Sequence, residues 1–220
     1  MSLTLTTATT QVRDFLNEST GTFWQDTEIQ NWIKEGTKRF SAKTLMVEAT
    51  DDIDPLVQNQ LVYDSSDETW IGTIIEPYAA LYDDGSNNYK GLIKVHPRQL
   101  GNIATFTAGS PKYYALHNRK LYIWPLTTAL VASVSKITFL YAKVTEDITE
   151  VTDEFQHLPV IYACAKCKQK DQKFGEATAL MTQFFTELGF EREDKHAREI
   201  DSLDKFKTPV RGGGTESARG

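Results

Sequence analysis

The sequence predicts an α+β protein in which a helical bundle core carries an inserted antiparallel β lobe and ends in an extended C-terminal tail. Three observations predict it. Apolar residues recur at helical spacing near the N-terminus, short β-prone runs fill the middle, and the helical period returns after Asp153. The expected division is a helical core from residues 1–45 and 150–206, a β-rich insertion lobe over 46–149, and a flexible C-terminal tail over 207–220.

In the first segment, Val12, Phe15 and Leu16 share one helix face, and the helix ends near Asn17. Ser19, Thr20 and Gly21 make the turn. Asp26 is placed as an N-cap, and Glu28 suits the positive helix start. Ile29, Trp32, Ile33, Gly36 and Phe40 then form an apolar stripe at spacings of three and four, which predicts a second amphipathic helix to about Phe40.

The middle changes period. Leu61–Tyr63, Trp70–Ile75, Leu92–Val95, Ile103–Phe106, Tyr113–Leu116, Leu121–Trp124 and Ile137–Tyr141 are β-prone runs separated by Gly, Pro, Asn and Asp, the pattern of an antiparallel sheet. The clearest hairpin joins Tyr113–Leu116 to Leu121–Trp124 across His117 to Lys120, where Asn118 accepts a left-handed backbone.

After Asp153, Leu158, Ile161, Tyr162, Cys164 and Ala165 make an apolar helix face, followed by a solvated run with Lys166, Lys168, Lys170 and Lys173. A further helix starts near Gly175 and is expected to bury Ala177, Leu180, Met181, Phe184, Phe185 and Leu188, with Gly189 as its end or kink. Ile200, Leu203 and Phe206 continue at helical spacing. From Lys207 the chain has too few apolar groups to offset chain entropy alone.

Composition bounds the function. With 40% hydrophobic, 11% aromatic and 25% charged residues among 220, the chain is neither disordered nor membrane-spanning in character. The opening MSLTLTTATT lacks a secretory pattern, so the protein is expected to be made and kept in the cytosol. Two cysteines make no disulfide framework. A net charge of −6 gives no general reason for nucleic-acid affinity, but it conceals a division: Thr44 to Tyr89 holds ten acids and no Lys or Arg, while Lys90 to Thr145 holds eight bases and no Asp or Glu. Such segregation suggests a heterologous subunit contact, with Asp51, Asp52 and Asp54 opposite Lys112, Arg119 and Lys120. Pairing of the same charges across one subunit's sheet, or acids lining a channel, would also account for it.

Catalytic patterns are lacking. Cys164-Ala165-Lys166-Cys167 is a CxxC, but it lies mid-helix without a preceding strand or a second cysteine pair, and His157 adds at most a third metal ligand. Buried core thiols are the simpler reading. His96, His117, His157 and His196 accompany no nucleophile motif, and Gly212-Gly213-Gly214 sits where no phosphate cradle forms. The acids at 51–54 and 83–84 do not match a calcium loop. No enzyme activity, metal or cofactor is expected. Bases interleaved with Tyr113, Tyr114, Tyr122 and Trp124 would suit a single-strand nucleic-acid binder, yet a half-wet antiparallel sheet gives the same pattern.

Two blocks resemble the head-to-tail adaptor, or neck, proteins of tailed bacteriophages. The first is Trp24-Gln25-Asp26-Thr27-Glu28-Ile29 leading to Trp32, Ile33 and Gly36. The second runs from Gly109-Ser110-Pro111 and Tyr114 through Leu121, Ile123 and Pro125, then Phe139–Tyr141, to Leu158-Pro159 opening a long helix. Thr44 to Tyr89 has no counterpart in that pattern. The resemblance implies a virion structural protein at the neck, usually twelve copies in a homo-oligomeric ring, bound to the portal protein on one side and to tail or nozzle proteins on the other. Double-stranded DNA would pass through without sequence-specific binding, and no membrane is involved. Phe206, Lys207, Pro209, Val210 and Arg211 are the expected portal-binding residues, an apolar and basic segment able to add to a groove or sheet edge. Another tail structural module, such as a tail-tube or baseplate connector, is the alternative, followed by the single-strand binder.

Overall fold

The computed structural model describes residues 2–18, 23–86, 89–99, 108–128 and 135–205, with 190–205 in backbone only. Among these residues the chain is mixed α and β, with four α-helices and two four-stranded sheets. No helix among them is long and apolar enough to cross a membrane.

Helix α1 (Leu5–Leu16) starts on a capping box in which Thr4 and Thr7 each bond the other's backbone N–H, and it stops where Asn17 turns left-handed at φ 55°. Sequence reading found its end and missed that cap. Helix α2 (Asp26–Thr44) corrects the expected N-cap: Gln25 holds that position without a side-chain bond, and Asp26 is the first helical residue. Its carboxylate accepts from Arg13 Nε at 2.8 Å and Nη2 at 2.6 Å, which ties α2 to α1. The helix runs beyond Phe40 because Ser41 and Thr44 are also buried, their hydroxyls bonded to the carbonyls of Lys38 and Phe40.

After the strands come α3 (His157–Lys170) and α4 (Phe174–Lys205). Gly189 neither ends nor interrupts α4. At 32 residues α4 is about 48 Å long, against about 21 Å for α3, so roughly half of it outlasts its neighbour. The helices pack through two clusters. Ala8, Val12, Trp24, Ile29 and Ile33 meet Ala163, Cys164 and Cys167 in one. Phe40, Leu158, Tyr162, Phe184 and Leu188 form the other. Both join segments that lie more than a hundred positions apart in sequence. Gln156 adds a polar tie, its Nε2 donating to the carbonyls of Ile148 and Val151 while its Oε1 accepts from the backbone of Leu3.

The strands are β1 (Glu48–Ile53), β2 (Val62–Tyr63), β3 (Ile74–Asp83), β4 (Tyr89–Gly91), β5 (Ile93–Lys94), β6 (Tyr113–His117), β7 (Lys120–Trp124) and β8 (Lys136–Lys143). One sheet has the order β1-β8-β3-β4 and is antiparallel throughout. The second, β2-β7-β6-β5, departs from the expected antiparallel arrangement because β5 pairs with β6 in parallel. Tyr82, Ile137, Phe139 and Tyr141 of the first sheet pack on Tyr63, Tyr114, Leu121 and Ile123 of the second. The 113–124 hairpin has the predicted register, with Asn118 at φ 50° and Arg119 at φ 57°, the two left-handed residues of a tight primed turn.

Three strands were not legible. β4 offers only Tyr89 as a strand-favouring residue before Gly91. β1 carries Glu48, Asp51 and Asp52, which reads as loop, and β3 contains Pro77. That proline is tolerated because β4 pairs only with Leu81–Asp83, leaving an edge at Pro77, and the register to β8 shifts between Pro77 and Ala79. Trp70, expected in a strand, lies in a 3-10 turn at Thr69–Thr73. The expected Ile103–Phe106 strand and the Ser19–Gly21 turn fall on residues outside those described.

Candidate interaction surfaces

The CxxC lies inside the helical packing. Cys164 and Cys167 are both buried and free, and burial pushes each thiol up to about 12, far from thiolate at neutral pH. His157 faces away from them, its Nε2 2.9 Å from Glu187 Oε2 and its Nδ1 2.9 Å from the carbonyl of Glu154. No group of three or more His, Cys, Asp or Glu among the described residues could hold a metal ion.

The segregated charges meet within one chain. Because β1 lies beside β8, Lys136 Nζ sits 3.0 Å from Asp52 Oδ2, and the Tyr141 hydroxyl donates to Asp51 at 2.8 Å. Burial and that carboxylate together push the Tyr141 phenol up. Burial works against ionisation of Asp52, but bonds from Thr138 and Lys136 hold its pKa below the usual value. Lys120 donates to Asp64 at 3.0 Å, Lys94 pairs with Glu76, and Lys90 lies 4.0 Å from Asp84. Of the six residues expected at a subunit contact, Asp51 and Arg119 line one common cleft, Asp52 and Lys120 have partners in their own chain, and Asp54 and Lys112 are exposed. Phe206, Lys207, Pro209, Val210 and Arg211 lie outside the described residues.

That cleft, of about 540 Å³, opens where α2, β8 and the Thr69–Thr73 turn converge. Three bases, Lys38, Arg119 and Lys143, face three acids, Asp51, Glu146 and Glu150. Two pairs among them close at 2.8 Å, Lys38 with Glu146 and Lys143 with Glu150. Trp70 stacks on Tyr141 at 5.2 Å, and its buried indole N–H meets no acceptor among the described residues. The charges of the lining balance, and the Lys38–Glu146 pair ties α2 to the segment that follows β8.

The aromatic residues of the basic segment are split between the interior and half-buried positions, with Tyr113 and Tyr122 packed beside Trp124. Tyr114 and Trp124 are buried, and Tyr122 stacks on Trp124 at 5.7 Å and 6°, which leaves few free ring faces for bases. In the lysine run after Ala165, Lys170 and Lys173 are exposed as expected, while Lys166 and Lys168 are half-buried. Lys168 pairs with Glu176 and lies over Phe15, while Lys170 pairs with Glu28 and lies over Phe23, Trp24 and Trp32.

Several large apolar side chains remain at the surface, among them Phe174 (62% exposed) and Phe185 (49%) on α4, and Leu81 and Leu140 on the first sheet. Phe185 was expected in the core. The register of α4 puts Phe184 inward, so its neighbour turns out, a distinction of 100° that a count of apolar residues does not resolve.

A comparison with curated proteins returned no match. The family model described as SU10 adaptor protein matches residues 3–211, a span that includes all four helices and both sheets. The chain therefore belongs to the SU10 adaptor protein family, a family of phage adaptor proteins and so of virion components.

Proposed function

We propose that this adaptor is a head-to-tail connector at the virion neck, assembled as a homo-oligomeric ring between the portal and the tail and leaving a passage for DNA. The family match over nearly the whole chain carries the reading. Twelve copies are the expected number. The division proposed with it, a helical core at 1–45 and 150–206, a β lobe at 46–149 and a tail at 207–220, suits the role, because one lobe could meet the portal while another meets tail proteins. The segment Phe206 to Arg211 is the proposed portal dock, with apolar groups at Phe206, Pro209 and Val210 and charges at Lys207 and Arg211.

Mass measurement of the purified chain, alone and mixed with its portal protein, tests this. A closed assembly of fixed copy number is the expected result. Truncation after Lys207 should leave folding intact and weaken portal attachment, and unchanged attachment would remove that segment from the dock.

A further inference from the structure

Lys170 is the last residue of α3, and aromatic rings from α2 and the segment before it surround its ammonium. The Nζ lies 5.8 Å from the ring centre of Phe23, 5.2 Å from that of Trp24 and 6.0 Å from that of Trp32. Glu28 Oε2 accepts from the same Nζ at 2.5 Å. Among the described residues the other lysines over a ring, Lys166 and Lys168, each meet a single one. Three rings and a carboxylate around one cation are the chemistry that recognises an organic ammonium, because the negative ring faces attract the charge while the ring bodies cover its carbons.

The walls of this cage are held by contacts of their own. Glu28 and Trp32 stand four residues apart on α2 and so share a face. The Phe23 ring meets Trp24 at 90° with centres 4.6 Å apart, and Trp24 meets Trp32 at 66° and 6.2 Å, so the rings form separate walls and not a stack. Trp24 is buried in the helical packing, and its carbonyl accepts from Arg13 Nη2 at 2.6 Å. The backbone N–H of Phe23 donates to Glu18 Oε1 at 2.6 Å. None of these contacts involves Lys170. The site also opens to solvent, since Phe23 is 58% exposed and the side chains of Lys170 and Glu28 are 42% and 32% exposed.

We propose that Phe23, Trp24, Trp32 and Glu28 form a binding site for an alkylammonium group, which Lys170 fills as a tethered ligand and an ammonium from outside the subunit can take over. The occupant identifies the ligand class. Lys170 is itself a primary ammonium on an alkyl chain, seated at cation-π distance from all three rings. It leaves without disturbing the buried face of α3, because it is exposed at the helix end while Cys164 and Cys167 carry that face. The tether gives the lysine an effective concentration on the order of millimolar, which an outside cation has to exceed. Removing the lysine therefore unmasks the site, since apparent affinity scales with the fraction of sites left open.

The test titrates tetramethylammonium chloride into the full chain, with sodium chloride holding the ionic strength constant, and follows tryptophan fluorescence in the wild type, Lys170→Ala and Lys170→Gln. A saturable change in both variants, at least about tenfold tighter than in the wild type, is expected. Adding Trp32→Leu to Lys170→Ala should abolish it, and adding Glu28→Gln should weaken it. Circular dichroism on each variant checks that it folds. Folded Lys170 variants without a saturable response overturn the site. Equal affinity in the wild type and the variants, or a response that survives Trp32→Leu, puts the cation elsewhere and also overturns it. A Lys170 variant that folds only with the cation present supports the site, and failure of the cation to restore unfolded variants overturns it. A second titration with Nα-acetyl-lysine amide separates two sources of the group. Tighter binding of the amide assigns the site to a lysine of another protein, tighter binding of tetramethylammonium assigns it to a free quaternary cation, and either result supports the cage.

Discussion

A Cβ placed on Gly36 would lie 3.0 Å from the Cβ of Tyr162 and 3.1 Å from the Cα of Pro159, so α2 and α3 touch backbone to backbone where α2 has no side chain. Beside that contact the Tyr162 hydroxyl donates to Glu35 Oε1 at 2.6 Å. Burial, then the Glu35 carboxylate, push the Tyr162 phenol up.

Gly36→Ala should destabilise the fold although alanine is the better helix former. Helix propensity favours Ala by about 1 kcal/mol, and overpacking against a proline backbone costs about 1–3 kcal/mol. Overpacking wins because Pro159 Cα cannot rotate away. A net loss of up to about 2 kcal/mol in urea unfolding is expected, and an unchanged midpoint would show that α3 can shift.

Replacing Cys164 and Cys167 together with Ala should leave assembly intact and lower stability by about 1 kcal/mol per site, the scale of one buried methylene-sized group. In the wild type both thiols should resist an aromatic disulfide reagent until the chain unfolds, because burial holds them at about 12. Fast labelling of the native protein would contradict the burial.

Asp64 is the group with a readable acid limb. Bonds from the Ser66 hydroxyl and backbone and from Lys120 lower its pKa from 3.8 to about 2. A depressed carboxylate stabilises the folded state above its unfolded pKa, so this contribution is complete above 3.8 and disappears as pH falls toward 2. Carboxyl carbon shifts should titrate near 2 in the wild type, and Ser66→Ala or Lys120→Ala should each move the midpoint up toward 3.8.

Reversing Asp52 to Lys should disturb the monomer, since Lys136 is already 3.0 Å away and both side chains are about one-third exposed. The expected cost is roughly 0.5–1 kcal/mol, and the swap Asp52→Lys with Lys136→Asp should recover most of it. Asp54 is exposed and makes no ion pair with Lys136, though its charge still acts there, so Asp54→Lys reads out self-association once the monomer's own stability is measured beside it. Failure of the swap to recover stability would show that Thr138, and not Lys136, holds the carboxylate.

Helical periodicity marked the end of α1, carried α2 from Asp26 to Phe40 and placed α3 and α4, because a stripe at spacings of three and four has to be buried along one side of a helix. The 113–124 hairpin was equally legible, since two alternating runs around a residue tolerant of positive φ leave few other registers. β1 was not legible, because Asp51 and Asp52 lower local strand preference and their partners Tyr141, Thr138 and Lys136 lie more than eighty positions away. Charge division was visible in the sequence, yet which acids meet which bases depended on β1 lying beside β8, a long-range pairing that no local pattern encodes. The same holds for α4: its sequence shows that Phe184 and Phe185 are both apolar, and only the packing of α3 and α2 against one side decides which is core and which stays exposed.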